Sequence, residues 1–317
     1  MPDATFGVVL INWNGADDTM AALDSLLAAV PRPARGIVVD NGSSDKSVAR
    51  LSEWANTHAV DCATATTATL GDAQGAPWLV LVVAGTNLGF SGANNVGLRY
   101  LAERTSVSHF LLLNNDAMVA PDYFERMAAA IRISPEAGLL APLIFRHPNR
   151  QDIWFSGAVE IPARALIVHR TDAPATPGQY PTPFVTGCAM MISRPLYEAE
   201  GGLAEVYNPI YWEDADYSHR ARANGWRSVV VPDAHVYHRV GASGGGERLT
   251  PRTALLQNRN RAVYVRRNYR GLDRLAALTY LAVTKPARAL VEVLRGNRAL
   301  GAAIARGYWM GMRQRLS

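Results

Sequence analysis

Residues 6–12, FGVVLIN, form an apolar run that ends in an asparagine. Similar runs follow at 35–40 (RGIVVD), 78–83 (WLVLVV) and 109–114 (HFLLLN). Runs of this length and composition are typical of strands that are buried on both faces of a sheet. Stretches with helical spacing separate them, at 17–30, 45–56, 91–104 and 121–132. The alternation predicts an α/β fold with a mostly parallel central sheet and helices on both faces.

Beyond these repeats the pattern changes. Residues 61–77 are rich in Ala, Thr and Gly, which favours a surface insertion. Residues 137–192 contain strand-like segments between prolines and glycines, with no clear helix, and predict an antiparallel extension of the sheet. A helix is expected over 213–224, a last strand over 226–232, and helices after the glycine-rich stretch 241–251.

Composition indicates a globular protein. Of the 317 residues, 49% are hydrophobic and 19% are charged, enough apolar side chain for a real core. Cys62 and Cys188 lie far apart in the sequence, so neither a disulfide framework nor a zinc site is expected, and a reducing compartment fits. The N-terminal residues lack the basic segment and long apolar stretch of a signal peptide.

The net charge of +5 is unevenly distributed. Residues 251–317 carry 14 Lys and Arg against two acids, so the other 250 residues are net acidic. The apolar stretch 275–294 is interrupted by Lys285, Pro286 and Arg288, which disfavours a bilayer span. A basic helical segment of this kind suits an anionic membrane surface, but packing against the rest of the chain or a second subunit is equally compatible. No nucleic-acid-binding motif is present, so nucleic acid is not an expected partner.

Polar residues stand where the predicted parallel strands end. Asp40 ends the second strand, Asn87 and Gly89 precede a helix, and 114–116 (NND) end the fourth strand. An Asp before a turn is by itself typical of a helix cap. In open α/β sheets, however, ligands bind beyond the carboxyl ends of the strands, so these residues are expected to meet in one crevice.

The stretch NLGFSGANN (87–95) suits a phosphate or pyrophosphate, although a tight strand–helix turn is the alternative interpretation. It is neither a P-loop nor a GxGxxG fingerprint. The stretch NPIYWEDADYSHR (208–220) places Glu213, Asp214 and Asp216 behind an aromatic pair. Acids in the first turn of a helix cap it favourably, but capping does not explain the aromatic residues in front of them.

Seven motifs occur in an order and spacing that resemble glycosyltransferase family 2 with a GT-A fold, most closely its bacterial rhamnosyltransferase-like branch. They are VVLINWNG, VVDNGSSD, NLGFSGANNVG, LLLNNDAMV, GCAMMISR, YWEDADYSHRARANGW and HVYHRVGAS. The resemblance covers roughly residues 6–270. It implies a nucleotide-diphosphate-sugar donor, a divalent cation and inversion at the anomeric carbon.

The resemblance also implies residue roles. Asp40 would accept the imide N–H of a pyrimidine, and the acceptor proton would go to Asp214, with Glu213 as its neighbour. Donor binding falls to Ile11, Asn12, Asp40, Asn87, Gly89, Asn94 and Asn115. Acceptor binding falls to Trp212, Tyr211 and Gly187. Asp116 and His238 would hold Mn²⁺ or Mg²⁺, although Asn114 stands where a strict DxD motif has its first acid.

Two further expectations concern supporting parts. Asp216 is expected to be structural, pairing with Arg220 one helical turn later. The glycine-rich loop 241–250 either closes over the donor or is a solvent-exposed loop.

The expected organisation is a GT-A catalytic domain at 1–250 and a basic helical extension at 251–317. The catalytic domain divides into a nucleotide-binding half (1–116) and an acceptor half (117–250). The expected reaction is transfer of a sugar, with dTDP-rhamnose the favoured donor, to a glycan or lipid-linked glycan. A UDP-hexose or galactofuranose transferase and a catalytically silent nucleotide-sugar-binding protein are the alternatives. The expected location is the cytoplasmic face of the inner membrane, with a homodimer through the C-terminal helices as a further possibility.

Overall fold

A computed structural model describes residues 4–72, 77–149, 151–174, 177–239 and 249–316. The strands are β1 (Phe6–Asn12), β2 (Arg35–Asp40), β3 (Cys62–Thr66), β4 (Leu79–Val83), β5 (His109–Asn114), β6 (Ala117–Val119), β7 (Ala137–Arg146), β8 (Ile153–Phe155), β9 (Ala158–Ile161), β10 (Leu166–His169), β11 (Tyr180–Pro181), β12 (Ala189–Ser193) and β13 (Arg227–His238). The helices are α1 (Ala16–Ala28), α2 (Ser47–Thr57), α3 (Gly89–Arg104), α4 (Tyr123–Ile133), α5 (Arg194–Glu200), α6 (Glu213–Ala223), α7 (Pro251–Asn268), α8 (Gly271–Leu294) and α9 (Arg298–Arg313).

Eleven of the described strands form one sheet, whose main path runs β11-β13-β7-β12-β5-β1-β2-β4-β3. Strand β1 lies inside it, pairing in parallel with both β2 and β5. Its residues Val8, Val9 and Leu10 have no exposed surface, which explains the uninterrupted apolar run. The four predicted parallel strands are confirmed, and they end at the same edge of the sheet.

The prediction of a surface insertion at 61–77 is wrong for its first part. Residues Cys62–Thr66 form β3, an edge strand that pairs in parallel with β4. Only Ala65 of this strand is buried, so the segment lacks the apolar run that marks the inner strands. Residues 73–76 lie outside the described part of the chain.

The predicted antiparallel extension is confirmed by β12, which runs antiparallel to both β5 and β7. The last strand is longer than predicted, because β13 continues from Arg227 to His238. Its register against β7 shifts between Val231 and His235, and beyond the shift it also pairs with β6. This second pairing sets His238 opposite Ala117, the residue after Asp116.

The C-terminal residues are helical, as predicted. Within α7, the residues that are buried include polar as well as apolar side chains: Ala254, Leu256, Asn258, Asn260, Ala262, Val263, Tyr264 and Val265. Two of its arginines bind backbone carbonyls inside the molecule, since Arg261 donates to the carbonyl of Ala165 and Arg266 to that of Gly311. Packing against the rest of the chain therefore accounts for α7. Among the described residues, no helix is long and apolar enough to cross a bilayer.

Asp216 joins α6 to α7. Its side chain has no exposed surface and accepts hydrogen bonds from Tyr207 Oη (2.9 Å), Arg220 Nε (2.9 Å), Arg267 Nε (3.0 Å) and Asn268 Nδ2 (2.8 Å). The predicted pair with Arg220 is present, and Arg267 of α7 adds a second positive charge. Two cations and two neutral donors satisfy a carboxylate that would otherwise be costly to bury.

We expect Asp216→Asn to lower the free energy of unfolding by about 3–5 kcal/mol, because it removes a fully buried anion from two partly buried guanidinium groups. Denaturant unfolding followed by circular dichroism measures the loss. Asp122→Asn, which breaks an exposed pair with Arg126 on α4, is the matched control and should change stability little. Equal small losses in both variants would show that Asp216 is not an anchor.

Candidate active site

A crevice of about 1020 Å³ opens at the carboxyl edge of the parallel strands. Most of the residues singled out from the sequence line it: Ile11, Asn87, Gly89, Asn94, Asn115, Asp116, Gly187, Tyr211, Trp212, Glu213, Asp214 and His238. Strand ends, the start of α3 and the start of α6 therefore converge, as the sheet topology requires. Leu249 and Thr250 also line the crevice, whereas 240–248, most of the loop predicted to close over a donor, lie outside the described residues.

Asn12 and Asp40 do not line this crevice. They are 0% and 1% exposed, and Asn12 Nδ2 donates to Asp40 Oδ2 at 2.8 Å. The Asp40 carboxylate also accepts from the backbone N–H and the hydroxyl of Ser43. A carboxylate offers about four acceptor directions, so three are used inside the fold. The assignment of Asp40 to base recognition stays a prediction. In this structure its carboxylate stabilises the turn between Asp40 and Ser43.

Gly89 begins α3 with a φ of +74°. A Cβ at this position would lie 2.5 Å from Oδ1 of Asn208, so the close approach that requires glycine is to a protein side chain. Asn208 Nδ2 in turn donates to the carbonyl of Leu88 at 2.9 Å. The loop before α3 is therefore fastened to the segment that leads into α6, which brings the two sides of the crevice together.

Asp116 and His238 form a pair at the base of the crevice. The distance from Asp116 Oδ1 to His238 Nε2 is 3.1 Å, and both side chains are buried. Strands β6 and β13 fix this approach, since the N–H of Arg239 also bonds to the Asp116 carbonyl. Burial opposes a charge on the imidazole, but the neighbouring side chains of Cys188 and Asp116 outweigh it and raise the pKa of His238.

Asp214 and Glu213 start α6. The Asp214 carboxylate is held by the backbone N–H groups of Gly187 (3.0 Å) and Ala215 (2.8 Å). Burial raises the pKa of Asp214, while these two donors favour its charged form. Burial and the charges of Asp214 and Asp216 raise the pKa of Glu213 well above its ordinary value. The pKa is therefore raised at both carboxyl groups, and more strongly at Glu213, so Asp214 is the member of the pair that ionises more readily.

The aromatic residues before the acids have unusual backbone angles, with φ of 82° at Tyr211 and 78° at Trp212. Such angles cost a non-glycine residue about 1–3 kcal/mol each and need support from the surroundings. Asn260 of α7 supplies it, because its Nδ2 lies within 2.9 Å of the carbonyls of Tyr207, Ile210 and Tyr211. The Trp212 ring lies against Tyr264, also from α7, at a centroid distance of 5.0 Å.

Matches to models of known protein families show which family the chain belongs to. The model described as "Glycosyl transferase family 2" matches residues 7–201, and the model described as "Glycosyl transferase family group 2" matches 109–310. The chain belongs to glycosyl transferase family 2.

Two relatives illustrate the range of this glycosyl transferase family. The chain is 27% identical over 263 residues to an N-acetylglucosaminyl-diphospho-decaprenol L-rhamnosyltransferase of Mycobacterium tuberculosis. The aligned region covers 75% of this chain and 77% of the relative. It is 25% identical over 222 residues to a low-salt glycan biosynthesis hexosyltransferase of Haloferax volcanii. This aligned region covers 68% of this chain and 61% of the relative.

Solved structures show the fold. The protein is similar to GalNAc-T7 with UDP, GalNAc and Mn²⁺, at a TM-score of 0.65 and 14% identity over 98% of this chain and 57% of that one. It is also similar to the mannosyltransferase PcManGT of Pyrobaculum calidifontis with GDP-Man and Mn²⁺, at a TM-score of 0.57 and 16% identity over 98% and 88%. The predicted GT-A fold is confirmed.

The sequence did not reveal a second cavity, of about 490 Å³, which Asp214 lines together with the crevice. Strand β10, α6 and the three C-terminal helices line it. His169, at the end of β10, borders both cavities, and burial lowers its pKa to about 4, so the imidazole is neutral. No pattern pointed to His169, because it ends a short strand in a region without a motif.

Glu213 predicts a pH dependence of stability. Its folded pKa lies well above the ordinary value of 4.5, so as pH rises the unfolded chain releases this proton first. The folded state then binds more protons, and the free energy of unfolding falls as pH rises from about 4.5 towards the folded pKa. We expect Glu213→Gln to gain stability relative to the wild type across that range, measured by urea unfolding at several pH values.

Glu198→Gln, on the exposed side of α5, is the control and should parallel the wild type. Curves for Glu213→Gln that also run parallel to the wild type would show that Glu213 ionises as easily in the folded protein as in the unfolded chain.

Proposed function

We propose that this glycosyl transferase moves a sugar, with dTDP-rhamnose the favoured donor, from a pyrimidine nucleotide diphosphate to a glycan or lipid-linked glycan, with inversion at the anomeric carbon. The observation that carries the proposal is the Asp214 carboxylate, held by two backbone N–H groups where it faces the crevice. The 27% identity to a rhamnosyltransferase with a lipid-linked acceptor supports the choice of substrates.

The chemistry is a single displacement. The acceptor hydroxyl oxygen attacks C1 of the donor sugar while Asp214 takes its proton, and the bond from C1 to the diphosphate oxygen breaks with its electron pair leaving on the diphosphate. A single attack from the opposite side inverts the configuration. The pKa of Glu213 is raised more strongly than that of Asp214, so negative charge on the pair is favoured on Asp214.

The donor occupies the crevice at the strand ends. Asn87, Gly89 and Asn94 line the crevice at the start of α3, where the proposal puts the diphosphate, and Ile11 offers an apolar surface to the base. Asn115 lines the same crevice, with its Nδ2 bonded to Thr19 Oγ1 at 3.2 Å. Tyr211 and Trp212, which also line the crevice, suit the flat face of an acceptor sugar.

A divalent cation, Mn²⁺ or Mg²⁺, fits beside the donor diphosphate. Asp116 and His238 would hold it with one carboxylate oxygen and one imidazole nitrogen, a combination that favours Mn²⁺. Among the described residues, no group of three or more His, Cys, Asp or Glu is arranged as a metal site, so diphosphate oxygens and water would complete the shell. When bound, the ion would stabilise negative charge on the leaving diphosphate.

We expect Asp214→Asn to lower kcat for sugar transfer by about 10²–10⁴-fold, the usual contribution of a general base. Its affinity for dTDP should stay within about twofold of the wild type, because Asp214 acts on the acceptor. Transfer is measured with radiolabelled dTDP-rhamnose and a lipid-linked N-acetylglucosamine acceptor, and UDP-hexoses serve as alternative donors. Undiminished turnover in Asp214→Asn would remove Asp214 from this role. A wild type that binds nucleotides but turns over no donor would be a silent binding protein.

A peripheral position at the inner face of the cell membrane forms part of the proposal. Helix α8 presents a stripe of exposed apolar side chains at helical spacing: Leu272, Leu275, Val283, Leu290 and Leu294. Exposed arginines, among them Arg298, Arg306 and Arg313, lie on α9. An apolar stripe on a strongly basic segment suits the interface of an anionic lipid surface.

We expect the protein to sediment with phosphatidylglycerol vesicles at low salt and to be released at high salt. Leu290→Glu should weaken partitioning about tenfold, since it replaces an apolar contact with a repelled charge. Ile133→Glu, at a 75% exposed position on α4, is the matched control and should bind as the wild type does. Equal binding to phosphatidylcholine vesicles would exclude an electrostatic anchor.

A further inference from the structure

The second cavity is built largely by the C-terminal helices. Its lining comes from β10 (Leu166, Ile167, His169), Phe184, the segment 211–215, α7 (Gln257, Asn258, Arg261), α8 (Lys285, Arg288) and α9 (Ile304), with Leu249 at its border. Six of these residues also line the donor crevice: His169, Tyr211, Trp212, Asp214, Leu249 and Gln257. Asp214 therefore stands at the junction between two cavities, where it can meet a hydroxyl of a ligand that occupies the second cavity.

The part of the cavity that is not shared with the crevice is cationic. Arg261, Lys285 and Arg288 line only this cavity, and Asp214, at the junction, is its single acidic lining residue among those the structure describes. The three cations come from two helices, so the sequence does not place them together. Such a set of like charges is unfavourable without an anion between them.

The partners of these cations leave room for a ligand. Arg261 is oriented by the carbonyls of Arg164 (2.6 Å) and Ala165 (2.8 Å), which are neutral acceptors. Arg288 pairs with Glu292 at 2.9 Å, and Glu292 is also close to Arg295. Lys285 has no hydrogen bond or ion pair with any described residue. Burial lowers the pKa of Lys285 to about 8, and the charges of Arg261 and Arg288 act in the same direction.

We propose that the second cavity is the acceptor site and that Arg261, Lys285 and Arg288 bind a phosphate or diphosphate group carried by the acceptor. This assignment rests on the proposed function, because it gives Asp214 an acceptor hydroxyl at one end of the ligand. The cations at the other end select acceptors that are phosphorylated over neutral glycans. Leu166, Phe184 and Ile304 supply apolar walls between these polar ends.

Lys285→Gln is the sharpest test, since Lys285 has no described partner whose loss would disturb the fold. The ligand is decyl diphosphate, titrated by calorimetry into the protein while the donor crevice is saturated with dTDP. We expect Lys285→Gln to weaken binding about tenfold or more, the cost of losing one charge-assisted contact to an anion. Arg274→Gln removes the same charge from α8 at a position that does not line the cavity, and should bind within about twofold of the wild type.

Lys285→Arg should restore most of the affinity, because it keeps the charge, and decyl maltoside should not distinguish the variants. The proposal is overturned if the wild type does not bind decyl diphosphate, or if Lys285→Gln binds it as tightly as the wild type. It is also overturned if Lys285→Gln loses binding to phosphatidylglycerol vesicles but not to decyl diphosphate, since the cations would then serve a membrane headgroup. Donor hydrolysis, measured separately, distinguishes the anion site from the proposed transfer reaction. If the protein binds decyl diphosphate through Lys285 but hydrolyses no donor, the anion site stands and the proposed function is wrong.

Discussion

The buried carboxylate of Asp216 joins α6, which carries Asp214, to α7, which lines both cavities. It has no exposed surface, and its four donors come from the segment before α6, from α6 itself and from α7. Asp214 lies two residues before Asp216 on α6, so it belongs to the helix that Asp216 anchors. The same carboxylate secures α7, and α7 carries Asn260, which supports the unusual backbone of Tyr211 and Trp212. Both cavities therefore depend on one ion-pair network that neither of them contains.

Much of the fold follows from local pattern. Strand β1 is buried on both faces, so its sequence is apolar at every central position, and the same holds for β2, β4 and β5. The edge strand β3 was missed because only one of its five residues is buried, and an edge strand needs no continuous apolar run. The extra length of β13 was missed because Pro232 and Asp233 interrupt the apolar pattern, whereas the structure absorbs them in a register shift.

The candidate site was predictable where it depends on strand ends, and not where it depends on distant packing. Asn87 and Asp116 meet because parallel strands end at one edge of the sheet, and motif order indicated that Asp214 joins them. Asp40 was expected to face a ligand, but a short polar residue at a strand end can equally bond its own turn, as it does with Ser43. The sequence did not predict that Arg261, Lys285 and Arg288 line one cavity. They come from two helices, α7 and α8, and nothing in the sequence sets the angle between these helices. The domain boundary at 250 stays a prediction.

The position of Asp214 between two cavities has a consequence for inhibitor chemistry. Under the proposed function, a compound that imitates the donor nucleotide would compete with that nucleotide for the crevice. The second cavity is walled by helices at the C-terminal end of this chain and offers cations around an apolar space. A small amphiphilic anion seated there would reach Asp214 without entering the crevice, and its selectivity would rest on α7, α8 and α9.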